Sequence, residues 1–481
     1  MKKTGVICFL LILLAASVFA GGGGDKKQPA AGQQAEAAKS GTLEWWDHFL
    51  PIAPLHQQIW EQYAAKTGVK VNYTQYDPAK QNEALLLAFR SNQCPDVFSM
   101  TFQANTVPSM FKEGWFSPMA LDIKDLPEHV RVNLFEGFTL FGGKVYSFPT
   151  MNVLNHNVPS WYYKKAVADA GYTSFPGNFT DFRAMAKKIT QQSGGKMYGV
   201  VLPVAFTNRM NDSIKDWSNA CGGYREIDWK TGEYQFASAS YFEVFEFLTG
   251  LKDDGSVLPV SVNLDMRQAR ERWAAGEAAV LFDGSWNAGV LQSNFASVLD
   301  QIGVAEPVRR NASASYKVYR SPPGGTFFIS SQSKHVADAT EILKLLTSDD
   351  YYIKLAERMD QPPLKLSVVQ QANVHSTYKD VIAIFEKTMA FEPHPILKNP
   401  NAAQVYAEMR EIHPNPAEIL QGYYSGALKD WKAELVKYNT AMTNERARAI
   451  KKVQDQGVKV SLDDWKFPNW SYGINFTTDK Y

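Results

Sequence analysis

Gly142-Gly143-Lys144-Val145-Tyr146-Ser147-Phe148-Pro149-Thr150 is the stretch from which the rest of this chain can be read. The Gly-Gly pair marks a turn, Val145 and Ser147 alternate with Tyr146 and Phe148 as in a strand, and Pro149 closes the run. Residues 151–157 then lead to Trp161-Tyr162-Tyr163-Lys164-Lys165, an aromatic-rich helix start. The pattern predicts that one structural unit hands over to another here. A chain of 481 residues exceeds one ordinary core, so two α/β lobes joined by this crossing are expected.

On its N-terminal side, Thr42-Leu43-Glu44-Trp45-Trp46 reads as a first strand, with Asp47-His48-Phe49-Leu50-Pro51 as the loop at its carboxyl end. Leu55, Ile59 and Tyr63 recur at helical spacing over residues 54–68, and Gly68 stops that helix. Residues 69–74 alternate as a strand, Asp77-Pro78 opens a second helix, and Pro95-Asp96-Val97-Phe98-Ser99-Met100 is a third strand. Strands alternating with helices make a parallel sheet, and ligands of such sheets sit outside the carboxyl ends of the strands. Trp46 to Phe49, Tyr76-Asp77 and Met100 to Gln103 therefore share one rim.

On the C-terminal side, Asn178 caps a helix with Asp181 at its third position, and residues 198–203 form a short strand. Tyr241, Val244, Phe245, Leu248 and Leu251 mark a helix face ending at Gly255. Ala278-Ala279-Val280-Leu281-Phe282 is a buried strand that empties into Asp283-Gly284-Ser285-Trp286. Pro322-Pro323-Gly324-Gly325 reads as a second crossing, followed by a helix over 337–346. The last third is mostly helical. Leu428, Trp431, Leu435, Tyr438 and Met442 fit a helix packed on its own lobe, two heptads being too few for a coiled coil.

Composition narrows the function. The formal net charge is +1, near neutral with or without Lys2 and Lys3, which argues against nucleic acid or an anionic membrane as partner. Aromatic residues make up 13%, including 12 Trp; most fit core packing, and the remainder suits a site where flat rings stack on a ligand. Lys2-Lys3, the apolar run from Val6 to Ala16 and Val18-Phe19-Ala20 form a secretory signal peptide over 1–20, and 21–41 has the composition of a flexible tether. Cys8 has no cleavage context, so no lipid-anchor cysteine is evident, and a periplasmic location is expected. Cys94 and Cys221 fall on different lobes and are expected to be free, buried thiols. There is no His-Glu-x-x-His, Gly-x-Ser-x-Gly or Walker loop, and the 8 His are scattered. No catalytic residue, metal or cofactor is implied, and no enzyme is expected.

Taken in order, these pieces resemble the extracellular solute-binding proteins of bacterial ABC transporters, in the carbohydrate-binding family that includes the maltose-binding protein. The resemblance is carried by the leader, the first strand, residues 89–98 with their small polar run before Pro95-Asp96-Val97, Gly114-Trp115-Phe116-Ser117-Pro118-Met119 and Gly143 to Pro149. It continues through Trp161 to Lys165, where the family commonly has Tyr-Asn-Lys, then Gly276 to Val280, Gly284-Ser285-Trp286 and Gly324-Gly325. It implies an α/β, two-lobe periplasmic binding protein fold, type II-like, each lobe a sheet flanked by helices with the ligand cleft between. The lobes are expected at 42–150 with 324–371 and at 151–323 with 372–481. It also implies a sugar importer's substrate-binding component, a monomer that captures a mono- or oligosaccharide by hinge closure and delivers it to ABC permease transmembrane subunits.

A sugar presents hydroxyls and apolar C–H faces, so its site needs aromatic faces and planar polar groups. Trp286 matches the family position that often stacks on a sugar ring; the other reading is a Trp that closes its lobe. Asp283 either accepts sugar hydroxyls or caps its turn. On the first rim the candidates are Trp46, Asp47 as hydroxyl acceptor, His48, Phe102 and Gln103; on the crossings, Asn152, Asn155, Gly324 and Gly325; with Trp217 and Trp229 in undirected contexts. The alternatives are a non-sugar solute on the same fold, a secreted carbohydrate-active enzyme, or a receptor for a membrane sensor. A cationic solute needs clustered carboxylates and an anionic one an arginine cluster; neither shows near the rim in sequence.

Overall fold

The computed structural model describes residues 41–49, 52–76, 78–100 and 107–481. The leader and most of the tether, as well as Asp77, lie outside these. In chain order the first strands are β1 (Thr42–Asp47), β2 (Lys70–Gln75), β3 (Val97–Ser99), β4 (Phe116–Ser117) and the hairpin pair β5 (Leu140–Phe141) and β6 (Lys144–Val145). Next come β7 (Ser160–Tyr163), β8 (Tyr198–Val201), the hairpin pair β9 (Ile227–Asp228) and β10 (Glu233–Tyr234), β11 (Ala278–Phe282) and β12 (Ile302–Ala305). The last are β13 (Val318–Arg320), β14 (Phe327–Ser330) and β15 (Met389–Phe391).

A five-stranded sheet runs β2-β1-β3-β14-β4. Its first three strands are parallel, as the strand–helix alternation requires, whereas β14 returns antiparallel to β3 after the chain has built the other sheet. Helix Ala53–Thr67 stops where Gly68 takes φ 78°, a left-handed conformation that favours glycine. Leu43, Trp45, Leu55, Trp60 and Val97 form the core with Phe327, Ile342 and Tyr352 from the returning segment.

The second sheet runs β12-β7-β11-β8, with β8 parallel to β11 and β7 antiparallel to both β11 and β12. Strand β7 corrects the helix expected from Trp161: the aromatic run is strand and the helix begins at Lys164. Aromatic residues fit a pleated surface better than a first helical turn. Every residue of β11 is buried, as its continuous apolar character predicts. Asn178 caps helix Phe179–Gln192 by accepting the Asp181 N–H at 2.9 Å, also as predicted.

The crossing stretch is shorter as a strand than its alternation suggests. Gly142 and Gly143, at φ 59° and 73°, turn the small β5–β6 hairpin, after which the chain runs extended beside the second crossing. There the Thr326 N–H donates to Phe148 O at 3.1 Å, the Thr150 N–H to Thr326 Oγ1 at 2.9 Å, and the Ser147 hydroxyl to Phe327 O at 2.5 Å. A third passage lies alongside: the Asn152 N–H donates to Pro362 O at 2.8 Å and Met151 bridges Pro363.

The C-terminal third packs on the second sheet's lobe, as expected from its helix spacing. Leu420, Leu435, Tyr438 and Val453 share a core with Tyr241 and Leu248, and Leu428, Trp431 and Met442 are partly buried against it. The chain end then braces the parallel pair β13–β15: the Gly473 N–H donates to the Tyr319 hydroxyl at 2.6 Å and the Phe476 N–H to Phe391 O at 2.9 Å. Cys94 and Cys221 are free and half-buried, with burial pushing the thiols up to about 11 and about 12. Among the described residues no helix is long and apolar enough to cross a membrane.

Candidate functional site

The parallel strands β1 and β3 end at His48-Phe49 and Met100, and these carboxyl ends face the crossings. Phe49, Met100, Asn152, Asn155, Gly324, Gly325 and Gln361 are among the walls of a cleft of about 460 Å³. Gly324 and Gly325 thus enter the cleft wall as well as the crossing. A side chain at Gly325 would place its Cβ 1.8 Å from Ser147 Oγ, so only glycine lets the two crossings run this close.

Alternation along β1 sets Leu43, Trp45 and Asp47 inward. Asp47 is fully buried: Oδ1 accepts the Phe49 N–H at 3.0 Å, and Oδ2 meets His56 Nδ1 at 3.1 Å and the Tyr73 hydroxyl at 2.9 Å. Burial alone would raise its pKa, but the His56 and Tyr73 contacts outweigh that and hold it low. The carboxylate expected to accept sugar hydroxyls therefore organises the strand end instead. His48 is half-buried at the rim. Ser99 Oγ accepts the His48 N–H at 3.2 Å and the Gln81 amide at 3.2 Å, so its own hydrogen points to His48 Nδ1, 2.7 Å away. Burial lowers the His48 pKa, and the neutral ring keeps Nε2 as its N–H end. Trp46 is half-buried, tilted 4.8 Å from Tyr76. Phe102 and Gln103 lie outside the described residues.

On the crossing, Asn152 Oδ1 accepts the Leu154 N–H at 2.8 Å, and Asn155 Nδ2 donates to Asn152 O at 3.2 Å. Asn155 also lines a second cavity, of about 350 Å³, shared with Asn157, Phe206, Arg209, Asp212, Arg225 and Arg320. The two spaces meet at this residue.

That second cavity stands at the carboxyl end of β8, beside the carboxyl end of β11. Asp283, at the end of β11, is 1% exposed; Arg270 clasps it through Nε at 2.6 Å and Nη2 at 3.2 Å, and Trp286 Nε1 donates to Oδ1 at 2.6 Å. The same oxygen accepts the Gly284 N–H at 2.8 Å, so Asp283 does cap its turn. Trp286 folds back over Gly284, where an added Cβ would meet its ring at 2.3 Å, and the Arg209 guanidinium stands 4.5 Å from the ring centroid. Trp217 lies on helix Thr207–Ala220 instead of a loop and is core, 1% exposed and edge-on to Phe282 at 5.0 Å. Trp229 is likewise buried, donating to Glu392 at 3.1 Å.

Sequence reasoning missed the arginines. Asp216 is completely buried, gripped by Arg320 at 2.6 and 2.9 Å and by Arg225 at 2.5 Å, while the Asn157 N–H donates to it at 3.0 Å. Burial would raise its pKa; the Arg320 and Arg225 charges prevail and keep it far below the carboxylate range. Arg225 also reaches Asp212 at 2.9 Å, and Arg209 donates to Asn157 Oδ1. An arginine cluster therefore does exist beside the cleft, drawn from a helix, a loop and a crossing strand. For Arg209 a signal was present: the rim rule that found Trp286 applies equally to the loop after β8.

Comparison with solved structures gives the same fold at low identity. The GacH receptor of Streptomyces glaucescens, described in unliganded form and with acarbose, superposes with a TM-score of 0.64 at 18% identity, covering 85% of this chain and 99% of that one. Maltose-bound MalE3 of T. maritima gives 0.61 at 15%, over 84% and 100%. A solute-binding protein of Thermotoga lettingae with bound α-D-tagatose gives 0.62 at 18%, over 85% and 100%. No curated protein matches the chain in sequence. The family model described as bacterial extracellular solute-binding protein matches residues 52–353, which takes in the second sheet, the first sheet apart from β1, the crossings and the Asp283 loop. The chain belongs to the bacterial extracellular solute-binding protein family.

Proposed function

We propose that this protein is the substrate-binding component of an ABC sugar importer, exported by its leader to the periplasm, where it captures a mono- or oligosaccharide and hands it to the permease. The observation that carries this reading is the cleft of about 460 Å³, whose walls join the carboxyl ends of β1 and β3 to the chain crossings. It offers Asn152, Asn155 and Gln361 as planar polar groups and Phe49 as an aromatic wall, and this reading adds His48, Trp46 and Trp286 from the neighbouring strand ends. The sugar and polyol complexes among its structural neighbours support the same ligand class. Gly324 and Gly325 supply the backbone freedom for closure, which is driven by contacts that a bridging ligand makes with both lobes. Function by this reading is binding without turnover, by a monomer.

Isothermal titration of the mature protein with mono- and oligosaccharides, and with putrescine and amino acids as controls, tests it. One saccharide should bind saturably with favourable enthalpy and be recovered unaltered. Binding of a control alone overturns the ligand class, and altered sugar overturns the receptor role.

A further inference from the structure

We propose that the solute carries a negative charge, a carboxylate borne by a sugar, which Arg209 receives in the cavity that it lines with Asn155 and Asn157. The inference rests on the sugar-receptor reading and sharpens it. Its basis is how the charges around one cavity are paired. Arg209, Arg225, Arg320 and the neighbouring Arg270 face Asp212, Asp216 and Asp283, with Asp360 beside the Arg270–Asp283 pair. Arg270 is matched to Asp283, Arg320 to Asp216, and Arg225 bridges Asp216 and Asp212. Among the described residues, Arg209 alone of the four has no carboxylate partner. It has the Asn157 amide oxygen and the Trp286 face, and Asp283, Asp212 and Asp216 act on it without a direct ion pair.

A guanidinium held in a partly desolvated wall without a directly paired counter-charge is destabilising, and the penalty is relieved when an anion arrives. The rest of the cavity enforces that outcome. Asp216 cannot turn toward Arg209, because Arg225, Arg320 and the Asn157 N–H already engage both its oxygens. Asp283 is likewise fixed by Arg270 and by Trp286 Nε1. Trp286 backs the guanidinium, 4.5 Å from its ring centroid, and a planar fork of N–H donors matches a carboxylate's two oxygens. A sugar chain entering the main cleft reaches this cavity past Asn155, which lines both. Neutral hydroxyls would also accept from Arg209, but they would leave it without a direct ion pair.

The test is titration calorimetry on the mature protein with glucuronate, galacturonate and mannuronate as monomers and trimers, each beside its methyl ester and its neutral parent sugar. The ester keeps every ring hydroxyl and removes the charge. At least one acid should bind about 10- to 100-fold more tightly than its ester. Arg209→Gln should remove that difference and Arg209→Lys should restore part of it, while added salt should weaken the acid far more than the ester. If a neutral sugar binds and every acid is silent or no better than its ester, the charge inference falls and the sugar-receptor reading stands. If no acid, ester or neutral sugar binds, both fall. The ester comparison and salt series use the unaltered protein, so a variant that fails to fold does not remove the test.

Discussion

Asp216 shows how much a single buried carboxylate can organise. Its replacement by Ala would leave Arg225 and Arg320 in a low-dielectric wall without their shared anion. Breaking a buried pair in this way costs about 3–5 kcal/mol, and urea denaturation of Asp216→Ala should show a loss of that size. A change under about 1 kcal/mol would mean that water reaches both guanidiniums. The same cluster marks the limit of sequence reading. Asp283 and Trp286 were legible because one rule, a loop at the end of a buried parallel strand, points to both. Asp216, Arg225 and Arg320 obey no such local rule: they meet only after a helix, a loop and a crossing strand have been placed. Asp47 is the opposite case. Period-two alternation sets it with Leu43 and Trp45, so its inward direction was legible, and chemistry alone suggested a ligand role.

Among elements, the two crossings behave as one unit because Gly325 and Ser147 are in each other's space. Gly325→Ala should push Ser147 off Phe327 O and destabilise the protein by about 1–3 kcal/mol. Adding Ser147→Gly should recover most of the lost steric strain, so thermal melts of the single and double variants should be strongly non-additive. The C-terminal third is a second such unit. Trp465 is fully buried between Tyr406 and Arg446, and Trp465→Ala should cost about 3–5 kcal/mol. Were that segment a loose appendage, the melt would barely move. Helix spacing revealed that these helices pack on their lobe. It did not reveal that the chain then returns to brace β13–β15, since residues 465–476 have no periodicity to read. The β7 aromatic run was misread for a related reason: four residues are too few for a period to declare itself.

At the scale of the whole molecule, buried titrating groups set opposite pH slopes. Burial, partly countered by Arg225, pushes Glu392 up to about 7 from 4.5, so the folded protein keeps a proton that the unfolded chain releases. Stability from this group is therefore lost as pH rises through that window. Burial pushes His156 and His394 down to about 3, so the unfolded chain takes up protons below about 6.5 and stability is lost as pH falls. The melting temperature should peak at about pH 6–7. Glu392→Gln should remove a loss on the order of 3 kcal/mol that runs between about pH 4.5 and 7, steepening the acid limb and carrying the maximum to higher pH. Calorimetric melts across pH check this, and a profile unchanged between about pH 4.5 and 7 with a maximum that stays put in Glu392→Gln would assign that loss elsewhere. The distribution of indoles has an optical consequence. Of the 12 tryptophans only Trp46, Trp286 and Trp431 are half-buried; the others are packed in cores. Intrinsic fluorescence is therefore mostly a constant background, and on the proposed reading of the site the solute's signature is a small difference carried by Trp286 and Trp46. Subtracting the response of Trp286→Phe isolates one ring, and the direction of its emission shift reports whether Arg209 leaves the indole face when the solute enters.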